Sequence, residues 1–248
     1  MKLSDDQLRR YSRHIALPEV REEGQQKLLQ ARVFIVGAGG LASAVGYYLA
    51  AAGVGTIALI DDDIVHLSNL QRQIVHTMGT IGQPKVFSAK KTLEALNPDV
   101  TIIPLQLRLS EQNIHDLIEH YAIIVDCSDN FPTRFLVNDV CVHAGKVLVT
   151  GAVSKFEGQV LVVDPEEGPC YRCLFEAPPP DASPYLHEPG LLGVLPGVIG
   201  TLQAAEVIKL ILGIGETLKG HLLIYEALKS SFRKVPVPRN SHCSACGQ

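Results

Sequence analysis

The sequence has no excess of positive charge. Its 248 residues include 22 Lys and Arg against 26 Asp and Glu, which gives a formal net charge of −4. Proteins that bind nucleic acid or anionic membranes usually present a basic surface, so this balance argues against both kinds of partner. The first residues, MKLSDDQLRRYSRH, also lack the apolar segment of a secretory signal. We therefore expect a cytoplasmic protein.

Long uninterrupted apolar runs and internal repeats are lacking as well. The most apolar stretch, 190–215, contains Gln203, Glu206 and Lys209. Polar groups at this helical spacing predict a core-facing helix rather than a membrane span. With 46% hydrophobic and 19% charged residues, the composition is typical of a globular protein with a real core.

The order of the predicted elements indicates an α/β fold. After a helix over 3–16 with Ser4 as its N-cap, strands alternate with helices over 40–52, 83–96, 111–120 and 132–144. This alternation predicts a Rossmann-like, doubly wound sheet, mostly parallel, with helices on both faces. Strand-like runs follow in GQVLVVD, HLLIYEA and SFRKVPV, around a helix over 198–212. They predict mixed or antiparallel strands that extend the same sheet.

We expect one continuous domain over 1–248. Its first half, 1–150, is predicted to bind a nucleotide, and 151–248 completes the sheet. Between CYRC and the last helix lies EAPPPDASPYLHEPGLLG, with five prolines in twelve residues. Proline excludes a helix or a central strand there, so we predict a crossover loop near 176–192.

A glycine loop follows the first predicted strand, in VFIVGAGGLAS. Gly37 permits a tight turn, and Gly39 and Gly40 let backbone amides approach a phosphate at a helix N-terminus. Asp61 ends the next strand, where an acid can bind ribose hydroxyls. The pattern predicts a nucleotide but leaves open whether it is NAD. The alternative is that these glycines serve only helix–strand packing.

The segments after the second strand favour a triphosphate. HLSNLQRQIVH and IGQPK place Arg72 and Lys85 at the carboxyl edge of the sheet, which suits the charge that builds on a leaving pyrophosphate. IIVDCSDN ends a later strand with Asp126, Asp129 and Asn130, and a carboxylate there is well placed to hold Mg²⁺. The alternatives are a solvated Lys85 and an Asp129 that only caps the following helix.

Four of the six cysteines form two C-x-x-C pairs, CYRC and CSAC: Cys170, Cys173, Cys243 and Cys246. This spacing is typical of zinc knuckles, and four thiolates make a closed tetrahedral structural site. A metal there would tie the C-terminal tail to the segment around CYRC. A redox-active pair, free core thiols and His242 as a substitute ligand are the alternatives. Cys127 and Cys141 are expected to be small buried hydrophobes.

Together these motifs resemble the ThiF/MoeB family, the bacterial relatives of ubiquitin-activating enzymes. The resemblance runs from about Tyr11 to Gly247 and rests on GAGGLA, SNLQRQ, GQPK, DCSDN, EGQV, PCYRC, GTLQAAEVIK and CSACG. The family adenylates the C-terminal glycine of a small ubiquitin-fold sulfur carrier ending in Gly-Gly and releases pyrophosphate. The resemblance implies ATP, Mg²⁺ and Zn²⁺ as cofactors, and a role in thiamine or molybdopterin biosynthesis.

The resemblance also implies the residues of the site. It assigns catalytic roles to Arg72, Lys85 and Asp129, and to Arg13, which relatives insert into the neighbouring subunit's ATP site. A homodimer with shared sites follows from that last assignment. The implied nucleotide-binding set is Gly37, Gly39, Gly40, Asp61, Asp63, Ser68, Asn69, Leu70, Gln71, Arg72, Lys85, Asp129 and Asn130.

One position departs from the family pattern. Relatives carry a cysteine on the crossover loop where this sequence has Leu186, and no cysteine lies between Cys173 and Cys243. Adenylation needs no thiol, so we expect that reaction to remain. A thioester or acyl-disulfide stage on this loop is not expected, and sulfur must then come from another protein.

Three other functions stay open. An NAD-dependent oxidoreductase is argued against by Arg72, Lys85 and Asp129. A non-catalytic relative that binds carrier or nucleotide is suggested by the missing cysteine, although the ATP motifs are complete. The tRNA-modifying branch of the superfamily fits less well with the acidic net charge and the paired cysteines.

Overall fold

The structure, a computed structural model, describes residues 2–177 and 190–247. Leu186 and most of the predicted crossover loop lie outside the described residues. The helices within this part of the chain are α1 (Asp5–Arg10), α2 (Ser12–Ile15), α3 (Arg21–Gln30), α4 (Gly40–Ala52), α5 (Lys85–Leu96), α6 (Ile114–Ile118), α7 (Phe131–His143), α8 (Tyr171–Leu174) and α9 (Leu195–Leu212). The strands are β1 (Arg32–Val36), β2 (Thr56–Ile60), β3 (Thr101–Leu105), β4 (Ile123–Asp126), β5 (Val147–Ser154), β6 (Glu157–Val163), β7 (His221–Glu226) and β8 (Ser231–Pro236).

All of these strands belong to one sheet, in the order β3-β2-β1-β4-β5-β6-β7-β8. The strands from β3 to β5 pair in parallel, and those from β5 to β8 pair antiparallel, which confirms the predicted topology. The strand order reverses at β1, because β2 and β3 lie on one side of it and β4 on the other. In such sheets a crevice opens beyond the carboxyl ends of the strands at the reversal point.

The strand register brings three connections to the same level at that crevice. Val36, the last residue of β1, lies opposite Ile60 of β2 and Asp126 of β4. The glycine loop, the segment from Asp61 and the segment from Cys127 therefore all begin side by side. Parallel strands guarantee this arrangement, since their carboxyl ends meet at one edge of the sheet.

Apolar side chains cover both faces of the central strands, as a parallel sheet requires. One core lies beneath α4, α5 and α9, and includes Val33, Ile35 and Leu93. The other lies beneath α6, α7 and α8, and includes Phe34 and Ile124. The alternation of Phe34 and Ile35 between the two cores follows from the two-residue period of a strand.

Among the described helices, α9 alone is long and apolar enough to cross a membrane by length and composition. Half of it is buried in the fold. Gly200 of α9 lies against the backbone of Leu41 on α4, and Gln203 donates to the carbonyl of Asp126 at 2.9 Å. The predicted core-facing helix is therefore confirmed. It begins at Leu195 rather than 198, because a proline occupies its first turn.

Several predicted helices need correction. The helix predicted over 3–16 is interrupted at Tyr11, whose side chain turns inward to accept a hydrogen bond from Asn97 at 2.9 Å. Ser4 does cap the first turn, as predicted. The helix predicted over 111–120 spans only Ile114–Ile118, because the Asn113 side chain closes a preceding turn by accepting from the N–H of Ser110.

Two helices were missed. The sequence of α3, REEGQQKLLQ, has a glycine in its interior and few apolar residues, so it lacks a clear amphipathic period. Gly24 allows that helix to pack closely, since a Cβ there would lie 3.0 Å from Val20 and 3.1 Å from Leu212. The second, α8, has only four residues and lies inside the CYRC motif.

Candidate nucleotide site and candidate metal centre

The glycine loop, residues 37–40, connects β1 to α4 at the crevice. Gly37 has a φ of +93°, and a Cβ on it would lie 3.1 Å from the carbonyl oxygen of Cys127. A Cβ on Gly40 would lie 2.9 Å from the Cβ of Pro196 on α9. Packing within this chain therefore requires glycine at both positions.

Packing does not account for the glycine at position 39. Its φ is −91°, and a Cβ there would meet only the Gln73 side chain, at an ordinary contact distance of 3.6 Å. Its N–H donates to no group in the described part of the chain. In a dinucleotide-type loop this position lets the backbone approach a phosphate closely. Gly39 thus leaves both a space and a donor that an anion could use.

Asp61 anchors the loop from the end of β2. Its Oδ2 accepts the N–H of Ala38 at 2.7 Å, and its Oδ1 accepts the N–H of Asp63 at 2.9 Å. The carboxylate therefore holds the glycine loop and the next segment together. It is half-buried and lies at the crevice, where the sequence predicts a ribose contact.

Lys85 is the first residue of α5 and is buried, with 7% of its surface exposed. Its Nζ lies 2.6 Å from Oδ2 of Asp63. Burial by itself would raise the pKa of Asp63, but the hydrogen bond from Lys85, helped by its charge, lowers it. The pair is therefore ionic, and the Asp63 side chain, 48% exposed, leaves it open to solvent on one side. The alternative of a solvated surface lysine is wrong.

The segment from Ser68 to Arg72 lies beside the glycine loop. Asn69 is buried and accepts the N–H of His66 through Oδ1 at 2.9 Å, which closes a short 3₁₀ turn. The half-buried Arg72 donates to the carbonyl of Ser68 at 3.2 Å, and its own carbonyl would lie 3.4 Å from a Cβ on Gly40. The guanidinium has further donors that could meet an anion at the crevice.

Leu70 and Gln71 complete this segment. Leu70 is half-buried and ends the 3₁₀ turn, while Gln71 is exposed. The backbone and side chain of Gln71 pack so closely on Gly193 that no Cβ would fit there. Gly193 follows the crossover loop, so the far end of that loop is held against the SNLQRQ segment.

Asp129 and Asn130 follow β4 and are exposed. Asn130 caps α7 by accepting a backbone N–H of its first turn at 3.0 Å, so the alternative of Asp129 as the cap is wrong. Asp126 is fully buried and accepts from the hydroxyls of Ser128 at 2.6 Å and Thr150 at 3.0 Å. Of the two aspartates suggested for Mg²⁺, Asp129 is therefore the accessible one.

The chain does not bring Arg13 to its own crevice. Arg13 is exposed on α2, next to Tyr11, which packs against Gly53 beyond the end of α4 and against Asn97 beyond the end of α5. Both helix ends lie at the amino edge of the sheet, opposite the glycine loop.

Sequence reasoning missed one buried residue at the site. His76 lies with Nε2 2.9 Å from the carbonyl oxygen of Ala38 and Nδ1 2.9 Å from the hydroxyl of Ser88 on α5. Burial lowers the pKa of His76, so the ring is neutral near pH 7. The position of His76, three residues after SNLQRQ, is the only signal in the sequence that could have pointed to it.

Gln73, the last residue of SNLQRQ, is buried against Gly39. Its Oε1 is the one buried side-chain nitrogen or oxygen without a hydrogen-bond partner in the described residues. An unpaired buried acceptor is costly, so it indicates a place where a ligand or a water could complete the site.

The four paired cysteines come together, as predicted. They lie on the face of the sheet that α6, α7 and α8 cover. Their sulfur atoms all lie within 4.8 Å of one another, with Cys170 and Cys243 3.5 Å apart and Cys173 and Cys246 3.4 Å apart. Zinc–sulfur bonds of about 2.3 Å in a tetrahedron place sulfur atoms about 3.8 Å apart. The cluster therefore fits one zinc ion held by four thiolates.

Backbone donors favour the thiolate form of Cys243, whereas burial raises the pKa values of Cys170 and Cys246. Burial raises the pKa of Cys243, but the N–H groups of Cys246 and Ala245 at its sulfur lower it to about 7. The N–H of Asn240 points to the sulfur of Cys173 at 3.4 Å. His242 is exposed and contacts Ser241, so the alternative of a histidine ligand finds no support.

The chain belongs to the ThiF family, whose family model matches residues 11–245. The SAMP-activating enzyme E1 of Haloferax volcanii is 50% identical over all of this chain and 92% of its own length. The sulfur carrier protein adenylyltransferase of Thermus thermophilus is 49% identical over all of this chain and 93% of its own length. A crystal structure of E. coli MccB with MccA-N7isoASN superposes on all of this chain and 76% of its own, with a TM-score of 0.85 and 24% identity. That last likeness concerns the fold alone.

Proposed function

We propose that this chain uses ATP to adenylate the C-terminal glycine carboxylate of a ubiquitin-fold sulfur carrier, ThiS-like or MoaD-like. The observation that carries the proposal is Gly39, whose space and N–H the described residues leave unused at the edge of the sheet where Arg72 and Lys85 also lie. The relatives named above as an adenylyltransferase and an activating enzyme, at 49% and 50% identity, support it. Molybdopterin or thiamine biosynthesis is the pathway class that follows.

The reaction asks for positioning rather than for a general base, because a carboxylate is already a nucleophile. One carboxylate oxygen bonds to the α-phosphorus while the bond from that phosphorus to the bridging oxygen breaks, and the electron pair leaves on pyrophosphate. Arg72 and Lys85 would compensate the charge that develops on the leaving group. Asp61 would hold the ribose end, Asn69 would join Arg72 and Lys85 at the triphosphate, and the loop amides would hold the phosphates.

Mg²⁺ would be held by Asp129. Its carboxylate is exposed and its Oδ1 receives only a long 3.4 Å bond from Asn130, so its oxygens suit a hard cation. The ion would neutralise charge on the phosphates. Lys85 binds Asp63 through Nζ, and its three donors would let it bind a phosphate oxygen as well.

The thiols of this chain have no part in the reaction. Four of the six cysteines lie in the cluster, and Cys127 and Cys141 are buried, with thiol pKa values that burial raises far above the usual range. Leu186 stands where relatives have their loop cysteine. The reaction catalysed by this chain therefore ends at the acyl adenylate of the carrier, and another protein supplies sulfur.

The chain works as one adenylation domain over 1–248. The half over 1–150 binds the nucleotide, while the half over 151–248 binds the carrier and holds zinc. Zinc has a structural role, because its four ligands would all be cysteines and would leave no open position. It would fasten the C-terminal tail to α8. The site of action is the cytoplasm.

The active form is a homodimer in which Arg13 enters the partner's site. Large apolar side chains are exposed along the segment that carries Arg72, namely Leu67, Ile74, Met78, Ile81 and Phe87. Exposed apolar surface of this kind marks an interaction face, which a second copy would cover. Arg13 is exposed on α2 and is accessible to a second copy of the chain.

The test combines intact mass with pyrophosphate release. The purified protein is given Mg-ATP together with a thiamine-type carrier or, separately, a molybdopterin-type carrier, each ending in Gly-Gly. We expect the mass of AMP on one of the two carriers and an equal amount of pyrophosphate. ATP binding without AMP transfer to either carrier would instead indicate a nucleotide-binding relative without this activity.

Variants connect that activity to the site. Arg72→Ala and Asp129→Ala should abolish AMP transfer while the far-ultraviolet circular dichroism and the melting temperature stay near those of the wild type. Asp99→Ala is the matched control, because Asp99 is exposed near the start of β3 at the opposite edge. Normal pyrophosphate release from Arg72→Ala or Asp129→Ala would contradict the assignment.

A further inference from the structure

His76 connects the glycine loop to the first turn of α5. These two parts of the site supply a free backbone N–H and the Lys85 cation. Its Nε2 lies 2.9 Å from the carbonyl oxygen of Ala38 in the glycine loop, and its Nδ1 lies 2.9 Å from the hydroxyl of Ser88, one turn after Lys85. A carbonyl can only accept, so Nε2 carries the proton and Nδ1 accepts from Ser88. The burial that lowers the pKa of His76 favours this neutral form.

The hydrogen bond from His76 determines where the N–H of Gly39 points. The Ala38–Gly39 peptide is trans, so its C=O and its N–H point in opposite directions. Because the C=O points inward to His76, the N–H of Gly39 points away from it. That N–H donates to no acceptor within the described part of the chain.

Glycine at position 39 makes an alternative peptide orientation accessible. Turning the Ala38–Gly39 peptide over would move φ of Gly39 from −91° to roughly +90°, which costs a glycine little. The N–H would then point inward and the C=O would face the place of the anion. Asp61 holds only the N–H of Ala38, on the other side of that residue, and does not prevent this rotation.

We propose that His76 is a positioning residue that holds the Gly39 N–H toward the phosphates of the nucleotide. This inference rests on the proposed function, since it takes ATP to be the ligand. His76 touches neither substrate nor phosphate, and acts only through the Ala38 carbonyl. Without its hydrogen bond the peptide turns over in most of the molecules, and those molecules lose one phosphate donor.

The test measures nucleotide affinity in three variants of the full chain. His76→Phe keeps the ring volume and removes both hydrogen bonds, His76→Gln keeps an N–H that can reach Ala38, and Ser88→Ala removes only the partner of Nδ1. A hydrogen bond to a charged group is worth about 10- to 150-fold in affinity. We expect His76→Phe to weaken ATP binding by about tenfold or more, and the other two by less than about threefold.

Adenosine separates positioning from a general structural defect. Its affinity, measured by competition, should be the same in His76→Phe and in the wild type, because adenosine has no phosphate for the Gly39 N–H. Equal losses for ATP and adenosine, or wild-type ATP affinity in a folded His76→Phe, would overturn the inference. Wild-type protein that binds ATP no more tightly than adenosine would overturn the proposed function itself.

Discussion

Two alanine substitutions in the glycine loop should differ in what they impair. Gly37→Ala should lower the stability of the fold, and Gly39→Ala should weaken the binding of nucleotide. Gly37→Ala places a side chain at φ +93° and its Cβ 3.1 Å from a backbone oxygen. Left-handed backbone costs a non-glycine residue about 1–2 kcal/mol. For a chain of this size that corresponds to a melting temperature lower by about 2–8 °C.

Gly39→Ala should disturb the fold less than Gly37→Ala, because φ of Gly39 is −91° and its Cβ would meet Gln73 only at 3.6 Å, although its ψ of −147° lies outside the usual extended range. The new methyl group would, however, occupy the place of the phosphate and block the amide. Loss of one hydrogen bond to a charged group is worth about 1.5–3 kcal/mol, or about 10- to 150-fold in the Kd for ATP.

Differential scanning calorimetry and isothermal titration with ATP measure both effects in the same samples. The expected pattern is a Gly39→Ala protein that melts closer to the wild type than Gly37→Ala does and binds ATP poorly. A Gly39→Ala protein that binds ATP like the wild type would refute the placement of phosphate at this loop. Equal destabilisation by the two substitutions would refute the claim that only Gly37 is required by packing.

Three further predictions concern the cations, the metal and the dimer. Lys85→Met should reduce adenylation by about 100-fold or more in steady-state assays. The control Lys90→Met, which removes a lysine on the same helix paired with the half-buried Glu94, should stay near wild type. Metal analysis should find one zinc per chain. A chelator should lower the melting temperature by several degrees, because each kcal/mol of lost unfolding free energy lowers it by about 2–4 °C in a chain of this size. The affinity for ATP should be retained at low temperature. Zinc-free protein that melts like the wild type would contradict a structural role. Arg13→Ala and Arg72→Ala should each be inactive. Dimers reassembled from an equal mixture of the two variants should regain about a quarter of the wild-type activity. Half of those dimers are mixed, and each mixed dimer has one intact site of two. No recovery in verified mixed dimers would place Arg13 outside the partner's site.

Much of the fold follows from local patterns in the sequence. β1, a run of β-branched and aromatic residues ahead of a glycine loop, and α4, a helix rich in small residues, were predicted at their observed bounds. The predictions failed where tertiary contacts override local preference. Tyr11 interrupts a predicted helix because its side chain is needed against Asn97, and α3 exists because Gly24 lets it pack against Leu212.

In the candidate site, too, some features follow from local sequence and others are decided by tertiary contacts. Residue types such as those of SNLQRQ and DCSDN report the chemistry that the chain offers, but they do not report which groups remain accessible. Asp126 and Asp129 looked equivalent in the sequence. The fold buries Asp126 among hydroxyl donors and leaves Asp129 at the surface of the crevice.

By itself the sequence determined the alternation of strands and helices, the family and the residue types of both sites, because these depend on local spacing and on the chemistry of single side chains. The tertiary structure decided which glycine is required by packing and which leaves space for a ligand. It also placed His76 behind the Ala38 carbonyl and Lys85 against Asp63. Such relations join segments that are distant in the chain, and only the register of parallel strands ending at one edge brings them together.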